Sequence, residues 1–256
     1  MIKRLIVTTS WDDGDWQDLK LAEMLRQAGI AATFYVPIST PDGKPTLRPE
    51  HLRALVSEEF EVGAHTMTHP VLSDLYGRRL WVEVSDCKQV LEDILGREVE
   101  MFCYPRGRYN QEVLETVRRV GYRGARTTRM LCHNNSFGVF EMPTTLQAYP
   151  HNSLTYCKNL GRRRDLPGLY RYMFELRRLR SWVELGKRLF DQALEEGGVW
   201  HLYGHSWEIE KLGLWNGLRE MLDYVRGWPG VVYANNSQTL QLLNQQEQPA
   251  RGAMVL

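Results

Sequence analysis

The sequence predicts an α/β protein built on a largely parallel sheet of about seven strands. Short apolar runs rich in β-branched and aromatic residues alternate with longer segments of helical period, the pattern of repeated β-α units. The length of 256 residues suits a single barrel or a single doubly wound sheet, and no repeat or long linker divides the chain. Hydrophobic residues at 43% and charged residues at 25% are typical of a soluble globular protein and exclude a disordered chain.

Seven short apolar runs are predicted as the strands. They cover residues 5–9, 32–36, 60–64, 99–104, 122–127, 199–203 and 231–234. In a parallel sheet the carboxyl ends of the strands meet at one edge, and active sites form there. Polar residues just past these ends are therefore the first candidates for a functional site.

Amphipathic segments between the strands are predicted as helices that pack on the sheet. Residues 18–28, 80–95 and 111–120 repeat apolar side chains at helical spacing, and a glycine suited to ending a helix follows each. From Asn235 onward the chain is rich in Gln and Asn, and we expect a last helical turn near Leu240. The domain is therefore predicted to span residues 1–245, followed by a flexible tail at 246–256.

The sequence favours a cytoplasmic protein. No apolar run approaches the ~20 residues of a transmembrane helix, and the N-terminal stretch turns acidic before a signal-peptide core could finish. The four cysteines are far apart and form no C-x-x-C pair, so reduced thiols are expected.

Two adjacent carboxylates, Asp12 and Asp13, follow the first predicted strand in the run SWDDG. Like charges held this close raise one another's pKa unless a cation neutralises them, and a metal ion is the obvious neutraliser. A turn with solvated carboxylates is the structural alternative for this motif taken alone.

Two histidines, His65 and His69, follow the third predicted strand in the run HTMTHP. Imidazoles four residues apart can converge on one ion if the backbone is helical or if the loop turns sharply. Pro70 disfavours a helical conformation at His69, so we place both histidines on a loop. A di-aspartate and two histidines, all just past strand ends, together favour a metal site over isolated structural residues.

Two later strands lead into further candidate groups. The fourth is followed by YPRGRY, in which the backbone N–H of Arg106 is a candidate oxyanion donor. The sixth lies in VWHLYGHSWE, where His201 and Tyr203 share one face and His205 lies past the strand end. Taken singly, each of these groups favours a structural role.

The runs WDDG, HTMTH, FCYPRG and LYGH, in this order, resemble the motifs of the polysaccharide deacetylase family, carbohydrate esterase family 4 with its NodB-homology domain. The resemblance implies a distorted (β/α) barrel in a single domain, with a divalent ion that is usually Zn²⁺. Carried over by position, it implies three metal ligands, a base, a general acid and an oxyanion donor. These are Asp13, His65 and His69 for the metal, Asp12 for the base, His205 for the acid and the Arg106 amide for the donor.

Two features depart from the family pattern. Cys103 stands where most members carry an arginine that supports the base, and the family's later aspartate motif has no clear match. We therefore predict that Arg126, at a strand end, replaces the missing guanidinium. Glu208 is predicted to replace the carboxylate that orients His205.

Charge is unevenly distributed along a chain whose net charge is +1. Residues 158–188 carry ten basic and three acidic side chains, which leaves −6 on the rest. A basic outer helix is one interpretation of residues 158–190. The others are a contact with a substrate diphosphate, or with an anionic membrane face through Trp182 and Phe190. No aromatic-basic reading surface supports a nucleic-acid partner.

These observations predict a hydrolase of carbon-nitrogen bonds, a metal-dependent deacetylase acting on an N-acetylated amino sugar. A cytosolic enzyme needs a cytosolic substrate, which favours a nucleotide- or lipid-linked precursor of a surface glycan. Tyr104, Pro105 and Trp207 flank the motifs and are predicted to contact this carbohydrate. A deformylase or cyclic-amide hydrolase with the same metal site stays open, as does a non-catalytic carbohydrate-binding relative.

Overall fold

A parallel β-sheet organises the computed structural model, which describes residues 4–40, 46–57, 59–132, 137–162, 166–176, 179 and 181–252. Every strand pairing among these residues is parallel. The strands are β1 (Leu5–Asp12), β2 (Ala32–Val36), β3 (Phe60–Ala64), β4 (Met101–Cys103), β5 (Gly124–Arg126), β6 (Leu146–Gln147), β7 (Gly198–Gly204) and β8 (Val232–Tyr233).

Within the curled sheet, β1 pairs with three other described strands. The order of the sheet is β5-β4-β3-β2-β1-β7-β6, and β7 pairs with β1 from Leu5 to Trp11. On the other edge of β1, β8 pairs at Ile6 and Val7, and β2 pairs from Thr9 onward. The prediction of a distorted barrel with about seven parallel strands is confirmed, and the structure adds only β6, which is too short to give a sequence pattern.

The helices cover the outside of this sheet. The three predicted helices are confirmed within a few residues, and glycines in the left-handed conformation end all three. The helices are α1 (Gln17–Ala28), α2 (Pro49–Leu55), α3 (Gly77–Leu95), α4 (Gln111–Val120), α5 (Ser153–Arg162), α6 (Leu166–Arg171), α7 (Trp182–Glu196), α8 (Ser206–Lys211), α9 (Trp215–Val225) and α10 (Asn236–Gly252).

Alternation along β1 divides the buried side chains into two layers. Leu5, Val7 and Trp11 belong to the large cluster between sheet and helices, whereas Ile6 belongs to a smaller cluster with Tyr35 on the other face. Asp12 follows the same alternation as Ile6. A carboxylate at the end of β1 is therefore directed to the interior of the curled sheet.

The C-terminal helix and the basic segment correct two expectations. α10 continues to Gly252, so the predicted border at 245/246 falls inside a helix, and residues 253–256 lie outside the described residues. Trp182 and Phe190 are buried in the core and are not available for a membrane interface. Most arginines of the basic segment lie outside the described side chains. No helix in the described part of the chain has the length and apolar character needed to cross a bilayer.

Candidate active site

The polar motifs meet at the carboxyl ends of β1, β3, β4, β5 and β7. Asp12 is the last residue of β1, and Asp13 follows it with a φ of +81°. Gly14 continues the turn with a φ of +61°. Neighbouring residues of an extended strand would point to opposite faces, so this sharp turn is what keeps both carboxylates near the strand end.

Backbone strain is concentrated in the same loops. Among the described residues, five non-glycine positions have positive φ, and four of them lie in the strand-end motifs: Asp13, Thr66, His69 and Arg106. Such conformations cost about 1–3 kcal/mol each and persist where the surrounding structure imposes them. The concentration of strain supports a functional site at this edge of the sheet.

Three side chains converge as the sequence predicted for a metal site. Nε2 of His69 lies 3.4 Å from Oδ1 of Asp13, and Nε2 of His65 lies 3.8 Å from the same oxygen. One ligand atom from each of the three residues falls within 4.8 Å of the others. Two imidazole nitrogens and a carboxylate oxygen form a set that Zn²⁺ and related divalent ions bind, with coordination positions left open.

Neighbouring groups orient these ligands. Nδ1 of His65 lies 2.8 Å from the carbonyl oxygen of Cys103, so Nδ1 carries the proton and Nε2 is free to bind a metal. Burial lowers the pKa of His65 to about 4, which keeps the ring neutral as a ligand must be. Nε1 of Trp207 donates to Oδ2 of Asp13 at 2.9 Å and leaves Oδ1 directed at the histidines.

A second set of potential ligands, formed by Asp12, His65 and Cys103, lies in the same region. Burial raises the pKa of the Cys103 thiol well above its usual range, so the sulfur stays protonated. A thiol must lose its proton to bind a metal ion. The set containing Asp13 and His69 therefore fits an ion better.

Metal binding distinguishes the two sets. We expect His69→Ala to weaken metal affinity by more than the ~10–100-fold that follows loss of an outer-shell partner, because a direct ligand is removed. Cys103→Ser should retain the metal. His51→Ala is the control for loss of a histidine elsewhere, since the His51 ring lies 4.4 Å from that of Trp16 in a tilted contact. Metal content after dialysis should be measured for all three variants. If Cys103→Ser lost the metal and His69→Ala retained it, the metal would have to be assigned to the set that contains Cys103.

Arg126 forms a buried ion pair with Asp12. Nη2 of Arg126 donates to Oδ1 of Asp12, and both side chains are almost fully buried. Burial alone would raise the pKa of Asp12, but the charge and hydrogen bond of Arg126, together with the charge of His205, outweigh burial and lower it. The guanidinium lies 4.8 Å from the ring centre of Tyr203 and 5.2 Å from that of Tyr35. The strand-end arginine predicted from sequence is therefore in place to keep Asp12 ionised.

His205 faces the two aspartates from the end of β7. Its Nε2 lies 3.9 Å from Asp12 Oδ2 and 4.0 Å from Asp13 Oδ2. Its Nδ1 lies 2.6 Å from Oε2 of Glu208, the carboxylate predicted to orient it. Burial would lower the pKa of His205, but the Glu208 hydrogen bond and the aspartate charges outweigh burial and raise it to about 9. The imidazole is therefore a cation at neutral pH.

A polar network behind Glu208 was missed from the sequence. Nε2 of Gln147 donates to Oε2 of Glu208 at 3.2 Å. Oε1 of Gln147 lies 2.7 Å from both the Tyr203 hydroxyl and Nε2 of His151. Gln147 lies on β6, a strand of two residues with no recognisable sequence pattern. Its place in the site is therefore seen only from its distance to Glu208.

Two predicted substrate contacts are corrected by burial. Tyr104 is fully buried, and its hydroxyl donates to the carbonyl of Phe140. Pro105 is also buried, at the start of a turn that carries Arg106 with an exposed side chain. Trp207 is 37% exposed, so part of its ring can still meet a ligand beside Asp13.

A family comparison agrees with the residues that the geometry brings together. The family model for polysaccharide deacetylases matches residues 3–125, a stretch that includes the di-aspartate, both histidines and the turn after β4. The N-terminal half of the chain is therefore similar to the polysaccharide deacetylase family. Arg126, Gln147, His205 and Glu208 lie outside the matched stretch.

The chain spans about half the length of the curated relatives that it matches. The Bacillus subtilis protein YxkH, provisionally assigned as a polysaccharide deacetylase, is 24% identical over 139 residues, or 53% of this chain and 49% of YxkH. The chitooligosaccharide deacetylase of Azorhizobium caulinodans is 29% identical over 117 residues, or 44% of this chain and 54% of that protein.

Solved structures extend the fold comparison to nearly the whole chain. A Mycobacterium smegmatis protein, provisionally assigned as a polysaccharide deacetylase, superposes with a TM-score of 0.70 at 17% identity. The superposition covers 96% of this chain and 92% of that one. At this identity the likeness shows the fold, and the C-terminal half of the chain therefore completes the same curled sheet.

Proposed function

We propose that the protein is a metal-dependent hydrolase that removes the N-acetyl group from an amino sugar. The observation that carries the proposal is an ionised carboxylate, Asp12, facing a protonated imidazole, His205, beside a set of metal ligands. A base and an acid on opposite sides of one gap suit the hydrolysis of an amide. The match of residues 3–125 to the family model and the names of the relatives support this reaction class.

Asp13, His65 and His69 would hold the ion, for which we propose Zn²⁺ on the chemistry of this ligand set. When bound, such an ion lowers the pKa of a water molecule and polarises an acyl oxygen. Trp207 orients Asp13 for metal binding. The Cys103 carbonyl orients His65 in the same way.

Asp12 and His205 move the protons of the proposed reaction. Asp12 takes a proton from the attacking water as the new carbon-oxygen bond forms. His205 gives its Nε2 proton to the nitrogen as the carbon-nitrogen bond breaks, so acetate and an amine leave. The N–H of Arg106, in the strained turn after β4, is the proposed donor to the oxyanion.

The proposed substrate is a cytosolic, nucleotide- or lipid-linked precursor of a surface glycan. Its support is the basic segment at residues 158–188, which offers cations to a diphosphate. The test is a screen for released acetate and formate with UDP-linked and polyprenyl-linked N-acyl amino sugars. Acetate release supports the proposal. Formate alone would assign a deformylase, and bound metal without either product would assign a non-catalytic carbohydrate-binding protein.

The pH dependence of turnover tests the role of Glu208. His205 has a raised pKa, so the general acid is present below about pH 9 and is lost as the pH rises through that value. Glu208→Gln removes the carboxylate that raises this pKa, and we expect the alkaline limb of the kcat/KM profile to move to lower pH. A bound cation would offset the effect of the Asp13 charge on the pKa of His205, but it would not offset the effect of Glu208.

Glu210→Gln provides the matched control, because Glu210 lies on the same helix and its carboxylate accepts hydrogen bonds only from Lys20 and Trp215 among the described residues. Its profile should coincide with that of the unmodified enzyme. An unchanged alkaline limb in Glu208→Gln would show that Glu208 does not act through His205.

A further inference from the structure

We propose that α6 and the turn that follows it form a docking surface for an anionic lipid bilayer. The surface consists of Leu166, Tyr170, Met173 and Phe174, and we call it the apolar stripe. All four side chains are exposed, by 72%, 64%, 39% and 61% in this order. Large apolar side chains that are exposed and adjoin one another are unusual on the surface of a monomeric soluble protein.

The spacing of the four residues places them on one side of the helix. They occupy positions i, i+4, i+7 and i+8, the pattern of a helix face. The rings of Tyr170 and Phe174 lie 4.7 Å apart, so they form a continuous aromatic surface. The backbone widens to a π-helix at Tyr172–Leu176, a rare geometry that is frequent at functional sites.

The opposite side of the same helix is already packed against the protein. Tyr172 and Leu176 are buried, and the ring of Tyr172 lies 5.1 Å from that of Tyr156 on α5. Leu169 also packs against the core. The helix cannot rotate the apolar stripe inward without exposing these residues, so the stripe remains available to a partner from outside the domain.

The charge of the flanking sequence indicates which partner fits. Three arginines at 162–164 precede α6, with one aspartate between them and the helix, and three more follow the π-helix at 177, 178 and 180. Apolar side chains bracketed by cations are typical of helices that lie in the interface of an anionic membrane. A second copy of this chain would bring the same positive charges together. The lipid surface is therefore the occupant that the charges favour.

This proposal does not rest on deacetylation, because its test measures only binding. Vesicles of phosphatidylcholine with phosphatidylglycerol should retain the full chain on flotation, and vesicles of phosphatidylcholine alone should retain much less. Raising the salt concentration should release the protein. Tyr170→Gln/Phe174→Gln should lower the partition coefficient at least about tenfold, since two exposed aromatic rings no longer transfer to the interface.

Tyr76→Gln is the matched control, since Tyr76 is 78% exposed at the start of α3 and should leave binding unchanged. Glutamine favours helix, so circular dichroism should show an intact fold in the double variant. Equal retention by both vesicle types would overturn the proposal. A dimer by sedimentation velocity that dissociates in the double variant, without vesicle binding, would assign the apolar stripe to self-association instead.

Discussion

Asp12→Asn is expected to lower turnover by about 10²–10⁴-fold and to leave the bound metal in place. The amide keeps the shape of the carboxylate but cannot take a proton from water. Asp13, His65 and His69 are unchanged in this variant, so the ligand set persists. Turnover of an N-acetyl amino sugar and metal content should be measured on the same sample.

Asp13→Asn is the natural counterpart, because it removes a ligand from the neighbouring position. We expect this variant to lose the metal as well as turnover. If Asp12→Asn lost the metal and Asp13→Asn retained it, the two aspartates would have exchanged roles. If Asp12→Asn kept full turnover, the base would have to be sought elsewhere in the site.

The strand-end motifs were predictable because a parallel sheet brings the carboxyl ends of its strands to one edge. Asp13, His65 and His69 converge for this reason, although they come from two separate loops. Arg126 was predictable as a cation at the carboxyl end of another strand of the same sheet. Cys103 stands where most members of the family carry an arginine, so Asp12 lacks its usual cation. Arg126 was therefore the expected partner of Asp12.

The remaining parts of the site depend on three-dimensional packing that leaves no local pattern. The two-residue strand β6 places Gln147 behind Glu208, yet neither residue type nor spacing indicates this contact. Tyr104 lies in a motif loop but turns inward, where it stacks on Tyr109 at 4.5 Å. Trp182 and Phe190 lie between arginines in sequence and are nevertheless core residues. Helical period identifies an apolar face without showing whether protein or solvent covers it.

Arg126→Met is expected to lower the free energy of unfolding by about 3–5 kcal/mol, because it leaves the buried charge of Asp12 without its partner. Denaturant unfolding at neutral pH measures the loss. Arg123→Met is the matched control three residues earlier. Its guanidinium pairs with Glu98 and Glu100 at the surface and is 56% exposed, so the loss should be at most about 1 kcal/mol.

Arg126→Met should also change the acidic limb of the pH profile of turnover. In the unmodified protein the pKa of Asp12 is lowered, so its stabilising charge is present above the ordinary aspartate pKa and is lost as the pH falls through the lowered value. Without Arg126, burial raises the pKa of Asp12 and the base is protonated at higher pH. Any turnover that remains in Arg126→Met should therefore begin to fall at a higher pH on the acidic side.

The double variant Asp12→Asn/Arg126→Met separates the ion pair from simple loss of packing. It contains neither buried charge, so it should be more stable than Arg126→Met while remaining as inactive as Asp12→Asn. Stability equal to that of Arg126→Met would mean that the guanidinium acts mainly through its packing between Tyr35 and Tyr203. Recovery of stability without turnover would identify Arg126 as the residue that allows a buried carboxylate to stay charged.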